Sequence, residues 1–432
     1  MRKKSKLFLI NGTILTSTSL IMRFITLVFT VFISNKIGSE ALGIFSLVMS
    51  VYLFFITVAT SGLSVAATVI VPEKFALQKD KIAIKAIRSC ILFSLLLGLN
   101  AGLLLILFSN SIVRICLHNM VSTKVLFFIA IGLPFIAMSA CITAYFTAIR
   151  KAYKNAISQV FEFIIKFIFT ILLLNINISK GVCISLILAD VISEVCSFTF
   201  IFILYKFDIK KKNLNNIHSF AQKTNIIKIA FPVAITSYIR SGLSTLKQLI
   251  IPTQLEKSGM SCATALSKYG ILNGMVLPVI TFPTVLMSSY SMLLIPEIST
   301  YLAQKNYKAI NFVCNKIFKI TSAFSFCVCS IFLFFSSELG LVIYNNLESG
   351  YYFKILAPLI FFMYMDNVID SILKGLNKQF GVMCCNILDL TVTTCFIYFF
   401  LPVIGINGYV ISIFISELLN FTVSLFQLIK YA

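Results

Sequence analysis

The 432-residue sequence has no tryptophan, two histidines and only fifteen acidic residues. His118 and His218, both expected in loops, cannot build a histidine-based metal or nucleophile site. No G-x-x-x-x-G-K-[ST] run occurs, which excludes nucleotide hydrolysis through a P-loop. Charge is scarce as well: 12% of residues carry it, against about 25% in a soluble domain. A surface that is mostly water-facing is therefore excluded. The twelve cysteines include no C-x-x-C pair and lie mostly in apolar runs, so they are expected as small buried hydrophobes. No metal site is expected from them.

What is present is apolar sequence in long runs, 59% hydrophobic residues in all. Stretches long enough to cross about 30 Å of hydrocarbon run over 7–34, 41–71, 83–109, 124–149, 155–178, 181–205, 225–252, 271–296, 312–337, 350–373, 380–404 and 406–430. The fold class expected is an all-α integral membrane protein of about twelve transmembrane helices. The net charge of +21 gathers at the N-terminus and in the loops after even-numbered stretches. By the positive-inside rule both termini are cytoplasmic, in the cell membrane. The basic N-terminus ahead of Leu7 resembles a signal peptide, but the run that follows is too long for one, so an uncleaved first helix is expected. The short basic loops fit membrane orientation and contact with anionic lipid, not nucleic acid.

The chain repeats itself. Pro72-Glu73 and Pro296-Glu297 are 224 residues apart, and the same offset carries Pro134 onto Pro358, and Arg150 and Lys154 onto Lys374 and Lys378. A G-x-x-I-S run recurs as Gly181–Ser185 and Gly408–Ser412, at offset 227. Several positions in one register indicate a true repeat. The expected organisation is a six-helix lobe over 1–205, a cytoplasmic linker over 206–228 and a second six-helix lobe over 229–432, whose first helix begins near 225. Both halves start on the same side, so the repeats are parallel, and such proteins place substrate near the midplane.

Ionisable residues inside spans are costly and are default functional candidates. Ser19, Arg23 and Thr26, with Thr16 and Thr30, form one helical stripe, as do Ser237, Arg240, Ser244 and Lys247. Facing stripes would hold positive charge in a wet cavity suited to phosphate or pyrophosphate. The competing reading is that Arg23 and Arg240 pair with buried carboxylates and only fix packing. The acids Asp190/Glu194 and Asp366/Asp370 come at i, i+4, with Asp389 one turn after Asn386. These six are candidates for a coupling cation, sodium or proton, because close carboxylates resist double ionisation; structural pairing is the equal alternative. Glu162 and Lys166 have the spacing of an intrahelical salt bridge. Pro232, Pro278 and Pro283 are candidate hinges, and Pro134 and Pro358 predict a symmetric bend in both halves.

The run over 12–67, GTILTSTSLIMRFITLVFTVFISNKIGSEALGIFSLVMSVYLFFITVATSGLSVAA, resembles the opening of the stage V sporulation protein B family. That family is a polysaccharide-transporter branch of the multidrug/oligosaccharidyl-lipid/polysaccharide (MOP) flippase superfamily. The segment 230–297, containing YGILNGMVLPVITFPTVLMSSYSMLLIPEIS, resembles its helices 7 and 8. The resemblance implies a two-lobed fold and a flippase that moves an isoprenoid-pyrophosphate-linked saccharide, such as a peptidoglycan precursor, to the outer leaflet. It also implies that Arg23 holds the cavity position of an essential arginine, with Arg240 as its repeat counterpart. Asn386 and Asp389 loosely match a sodium site on helix 11. Family members usually have fourteen helices, two more than expected here, and the last two help line a lipid-tail groove.

The partners expected are thus the bilayer, a polyprenyl-linked saccharide and envelope-synthesis enzymes, with no cofactor beyond the coupling cation. A cation-coupled drug exporter of the same superfamily is the alternative, although helices 1–4 carry no intramembrane acid. An enzyme acting on the same lipid is disfavoured, since no loop can hold a catalytic domain. A non-transporting scaffold of an envelope-synthesis complex shares the architecture.

Overall fold

The computed structural model describes residues 2–76, 80–117, 120–149, 151–176, 181–211 and 223–431. His118, Arg150, His218 and residues 212–222 of the expected linker lie outside them. Every regular element among the described residues is helical. In the first half these are α1 (Arg2–Thr60), α2 (Leu63–Ala76), α3 (Asp80–Leu107), α4 (Thr123–Ala148), α5 (Ala152–Ile176) and α6 (Val182–Lys211). In the second half come α7 (Lys223–Lys257), α8 (Cys262–Tyr269), α9 (Leu277–Thr281), α10 (Thr284–Ala303), α11 (Tyr307–Phe334) and α12 (Ser336–Tyr344). The chain ends with α13 (Leu347–Leu356), α14 (Leu359–Gly375), α15 (Gln379–Ile404) and α16 (Ile406–Tyr431).

Nine helices among the described residues are long and apolar enough to cross a membrane, and a tenth if α13 and α14 make one bent span. The nine count residues 17–75 as a single 59-residue stretch. At 1.5 Å per residue that stretch measures roughly 90 Å, about enough for two or three crossings. It holds the first two expected helices, joined at Gly38, whose φ of 81° breaks the helical path where a side chain would be strained. Helix α7 is 35 residues long and does not pass as apolar, because its polar stripe dilutes the hydropathy.

The repeat is visible in the lengths. Helices α3 and α11 are each 28 residues and start at Asp80 and Tyr307, 227 residues apart. Helices α5 and α15 start at Ala152 and Gln379, at the same offset. Packing repeats too: α4 packs against α2, α3 and α6, and α6 against α5. In the second half α14 packs against α10, α11 and α16, and α16 against α15. Each half therefore buries its apolar faces by one scheme, around Tyr145 and Phe146 in the first and around Ile369 and Ile372 in the second.

The halves do not coincide with the compact units. One unit comprises residues 1–22 and 47–245, the other 23–46 and 246–432. Helix α1 gives both of its ends, 2–22 and 47–60, to the first unit and its middle, 23–46, to the second, while α7 divides once, 223–245 to the first and 246–257 to the second.

Within the second unit, residues 39–46 of α1 cross the end of α8 at Gly43 and Gly270. A Cβ on Gly43 would lie 2.3 Å from the Leu266 carbonyl oxygen, and one on Gly270 would lie 2.0 Å from that of Ser39. Ser39 and Ser267 share a hydrogen bond of 2.6 Å at the same crossing.

The prolines behave differently from one another. The chain bends by 57° between α13 and α14 at Pro358, while Pro134 lies inside the continuous helix α4. A π-helical stretch over Gly270–Val276 leads into α9, and Pro278 and Pro283 flank the breaks around that short helix. Helix α7 is continuous past Pro232.

Candidate functional site

Two clusters of intramembrane charge stand out, one in each unit. The first lies on α5 and α6. Lys166 forms an ion pair with Asp190 across the two helices. Glu162 instead accepts a hydrogen bond of 2.9 Å from Ser197, which also bonds Ser158 at 3.3 Å. The intrahelical Glu162–Lys166 bridge expected from spacing is thus replaced by pairing between helices, because α5 and α6 pack closely and Asp190 offers Lys166 a more buried partner. Glu194 stands in the field of Glu162 and Asp190, and all three acids act on Tyr52 of α1. Three carboxylates therefore face a single ammonium. Asp190 is 5% exposed and Tyr52 3%, and Asp190 Oδ2 and the Tyr52 hydroxyl are buried without a hydrogen-bond partner among the described residues. Buried polar atoms in that state are the places where a proton or water changes the energy most.

The second cluster lies in the other unit. A cavity of about 260 Å³ is lined by Thr281, Asp366, Asn367, Asp370, Glu417 and Asn420, among others. Asp366 has Ser424 beside its carboxyl, but its Oδ1 is buried with no hydrogen-bond partner among the described residues, while Asp370 is 3.5 Å from Lys374 on its own helix. Asp389 on α15 is buried, accepting hydrogen bonds from Ser416 (2.7 Å) and Thr393 (3.0 Å). Lys247 at the end of the α7 stripe feels Asp389 and Glu417 as its nearby charges, and Asp366 feels Asp370 and Asp389. Here four carboxylates face Lys374 and Lys247. Asn386 spends its amide nitrogen on the Val382 carbonyl of its own helix, at 2.8 Å. Among the described residues no three acidic, cysteine or histidine groups converge closely enough to hold a metal ion. A hard cation would need the Asn and Thr oxygens of the cavity as well.

The clusters are related by the repeat. Offset 227 carries Glu162 onto Asp389, Asp190 onto Glu417 and Ser197 onto Ser424. This is the register of the two G-x-x-I-S runs, so those runs already held the signal for Glu417 and for the serines. Tyr52 and Ser416 had no such signal, since their roles depend on which helices touch.

The arginines sit apart from both clusters. Arg23 and Arg240 are exposed, and neither forms an ion pair among the described residues. Ser19 and Thr26 share the exposed face of Arg23, while Ser237 and Ser244 are half-buried beside Arg240. The adjacent face of α7 is fixed to α1: Tyr238 donates to the Val58 carbonyl at 3.1 Å, Ser241 to Thr57 at 3.2 Å and Thr245 to the Ser50 carbonyl at 3.1 Å. That anchoring sets the direction in which Arg240 projects. Offset 224 pairs Arg23 with Lys247, not with Arg240.

A family model described as polysaccharide biosynthesis protein matches residues 8–302, more than half of the chain. The chain belongs to that family. Within it, the chain is 23% identical over 422 residues to stage V sporulation protein B of Bacillus subtilis (strain 168), covering 94% of this chain and 80% of that protein. It is 22% identical over 241 residues to sporulation protein YkvU of the same organism, covering 54% of each. The fold is that of a multidrug resistance MATE family transporter of the MOP superfamily, solved in an inward-facing conformation. The TM-score is 0.73 at 14% identity, covering 95% of this chain and 94% of the other. This member of the polysaccharide biosynthesis family is thus a multi-pass, all-α membrane protein with a MOP-type fold.

Proposed function

We propose that the protein is a flippase, not an enzyme, that moves an isoprenoid-pyrophosphate-linked saccharide from the inner to the outer leaflet of the cell membrane by alternating access, with both termini cytoplasmic. The observation that carries this reading is the pair of exposed arginines, Arg23 and Arg240, on hydroxyl-bearing helices and outside any ion pair among the described residues. An uncompensated guanidinium at that depth is too costly against lipid and requires water or an anion. A pyrophosphate suits it, because a guanidinium grips phosphate oxygens in pairs. Membership of a polysaccharide biosynthesis family supplies the saccharide. An inside-negative potential drives anionic charge outward by ~2.3 kcal/mol per charge per 100 mV. In each unit the excess of carboxylates over lysines provides a place for a proton or sodium ion to reset the carrier.

The acidic cavity beside Asp366 also favours a second reading, a cation-coupled exporter of small molecules. Reconstitution into vesicles separates the two. A fluorescent polyprenyl-pyrophosphate saccharide is expected to change leaflet in the presence of the protein, faster with a sodium or proton gradient. Arg23→Ala and Arg240→Ala are each expected to slow transfer by about tenfold or more, the loss of one charge-assisted contact. Transfer at the protein-free rate, or full rates in both variants at normal abundance, would overturn the flippase reading.

A further inference from the structure

A cavity of about 520 Å³ in the first unit belongs to neither cluster. It lies between α3 and α6 and is lined by Arg88, Ile91, Phe202, Tyr205, Lys206 and Lys210, with Ile209 beneath. Helices α3 and α6 both pack on α4, which leaves a groove between their ends. The polar groups sit at one end of it. Arg88 is about two turns inside the start of α3, and Lys206 and Lys210 fall within the last turn and a half of α6. Under the positive-inside orientation both ends are cytoplasmic, so these groups stand at headgroup depth.

The walls are amphiphilic. Lys206 Nζ lies 5.0 Å from the centre of the Phe202 ring, and Tyr205 is only 4% exposed. Ile203 and Phe207, beside them on α6, and Leu92 and Leu96, further along α3, are exposed large hydrophobes and continue the groove as a lipid-facing surface. Asp208, on the same stretch of α6, has partners of its own. It is held by Lys151, by Lys154 at 3.2 Å and by the Tyr145 hydroxyl at 3.0 Å. Neither Lys206 nor Lys210 enters an ion pair among the described residues.

We infer that this groove is a binding site for an anionic membrane phospholipid. The lipid phosphate sits among Arg88, Lys206 and Lys210, and its acyl chains run along Ile91, Leu92 and Leu96. Phosphate recognition by a guanidinium and two ammonium groups is the chemistry of such headgroup pockets. The apolar wall selects a lipid over a free phosphate.

The test is native mass spectrometry of the full chain extracted from nanodiscs of equimolar phosphatidylglycerol and phosphatidylcholine. Wild-type protein is expected to retain phosphatidylglycerol in preference. Lys206→Gln and Lys210→Gln, both exposed and harmless to folding, are each expected to weaken the preference by roughly fivefold. With Arg88→Gln added, the loss is about 100-fold, as three interfacial charges predict. Lys316→Gln with Lys319→Gln on α11 is expected to leave it unchanged. An unaltered preference in the two lysine variants, or equal loss in the α11 variant, overturns the site. Displacement of the lipid by inorganic phosphate or glycerol phosphate overturns its assignment to a lipid.

Discussion

Lys166 on α5 pairs with Asp190 on α6, not with Glu162 one turn before it on its own helix. The partner left over, Glu162, is held by Ser197, so the first-unit cluster is stitched across two helices instead of along one.

This pairing predicts the outcome of two double-mutant cycles. Lys166→Ala with Asp190→Asn is expected to show a coupling of about 2 kcal/mol in the stability of purified protein. Breaking a buried pair costs roughly 3–5 kcal/mol, and the partial exposure of Lys166 reduces it. Lys166→Ala with Glu162→Gln is expected to show less than about 0.5 kcal/mol. The reverse order would place the salt bridge within α5.

The crossing at Gly43 and Gly270 leaves no space for a side chain. Gly43→Ala and Gly270→Ala are each expected to destabilise by about 2 kcal/mol or more, since the obstruction is backbone oxygen that cannot rotate away. Gly242→Ala is the comparison. Its added carbon meets only the Phe54 ring at 3.6 Å, so it is expected to change melting little. Equal melting temperatures for all three would disprove the close approach.

The unpartnered hydroxyl of Tyr52 makes a prediction of opposite sign. Tyr52→Phe removes a buried polar group that has no hydrogen-bond partner, so stability is expected to stay level or rise by up to about 1 kcal/mol. A loss of that size would mean that a water or a neighbouring carboxyl satisfies the hydroxyl in the membrane.

Asp389 is expected to matter through charge, not shape. Asp389→Asn keeps an acceptor for Ser416 and Thr393, so folding is expected to survive. Transport in the vesicle assay is expected to fall by about tenfold and to lose its dependence on the ion gradient, as intramembrane carboxylates in coupled carriers do. Unchanged gradient dependence would move the coupling role to Asp366 or to the cluster of the first unit.

The membrane class, the repeat and the helix positions were legible in the chain because they depend on local quantities. A run of apolar residues must be helical and buried in hydrocarbon, whatever surrounds it. Offsets of 224 and 227 between the halves survive in single residues such as Pro72 and Pro296 or Gly181 and Gly408. Even the related acids, Glu162 with Asp389 and Asp190 with Glu417, were written at one of those offsets.

Tertiary packing decided the rest, because it concerns which helix lies beside which. The i, i+4 spacing of Glu162 and Lys166 permits a bridge within α5, but the contact with α6 gives Lys166 a more buried carboxylate, and the pair forms there. Pro134 and Pro358 occupy equivalent places, yet the first lies inside one continuous helix and the second at a break between two, since a proline permits a break without requiring one. The change of unit after Met22 and after Thr245 likewise has no local mark. It follows from both helices being long enough for successive stretches to pack against different neighbours, the middle of α1 in one unit and its two ends in the other, with α7 divided once.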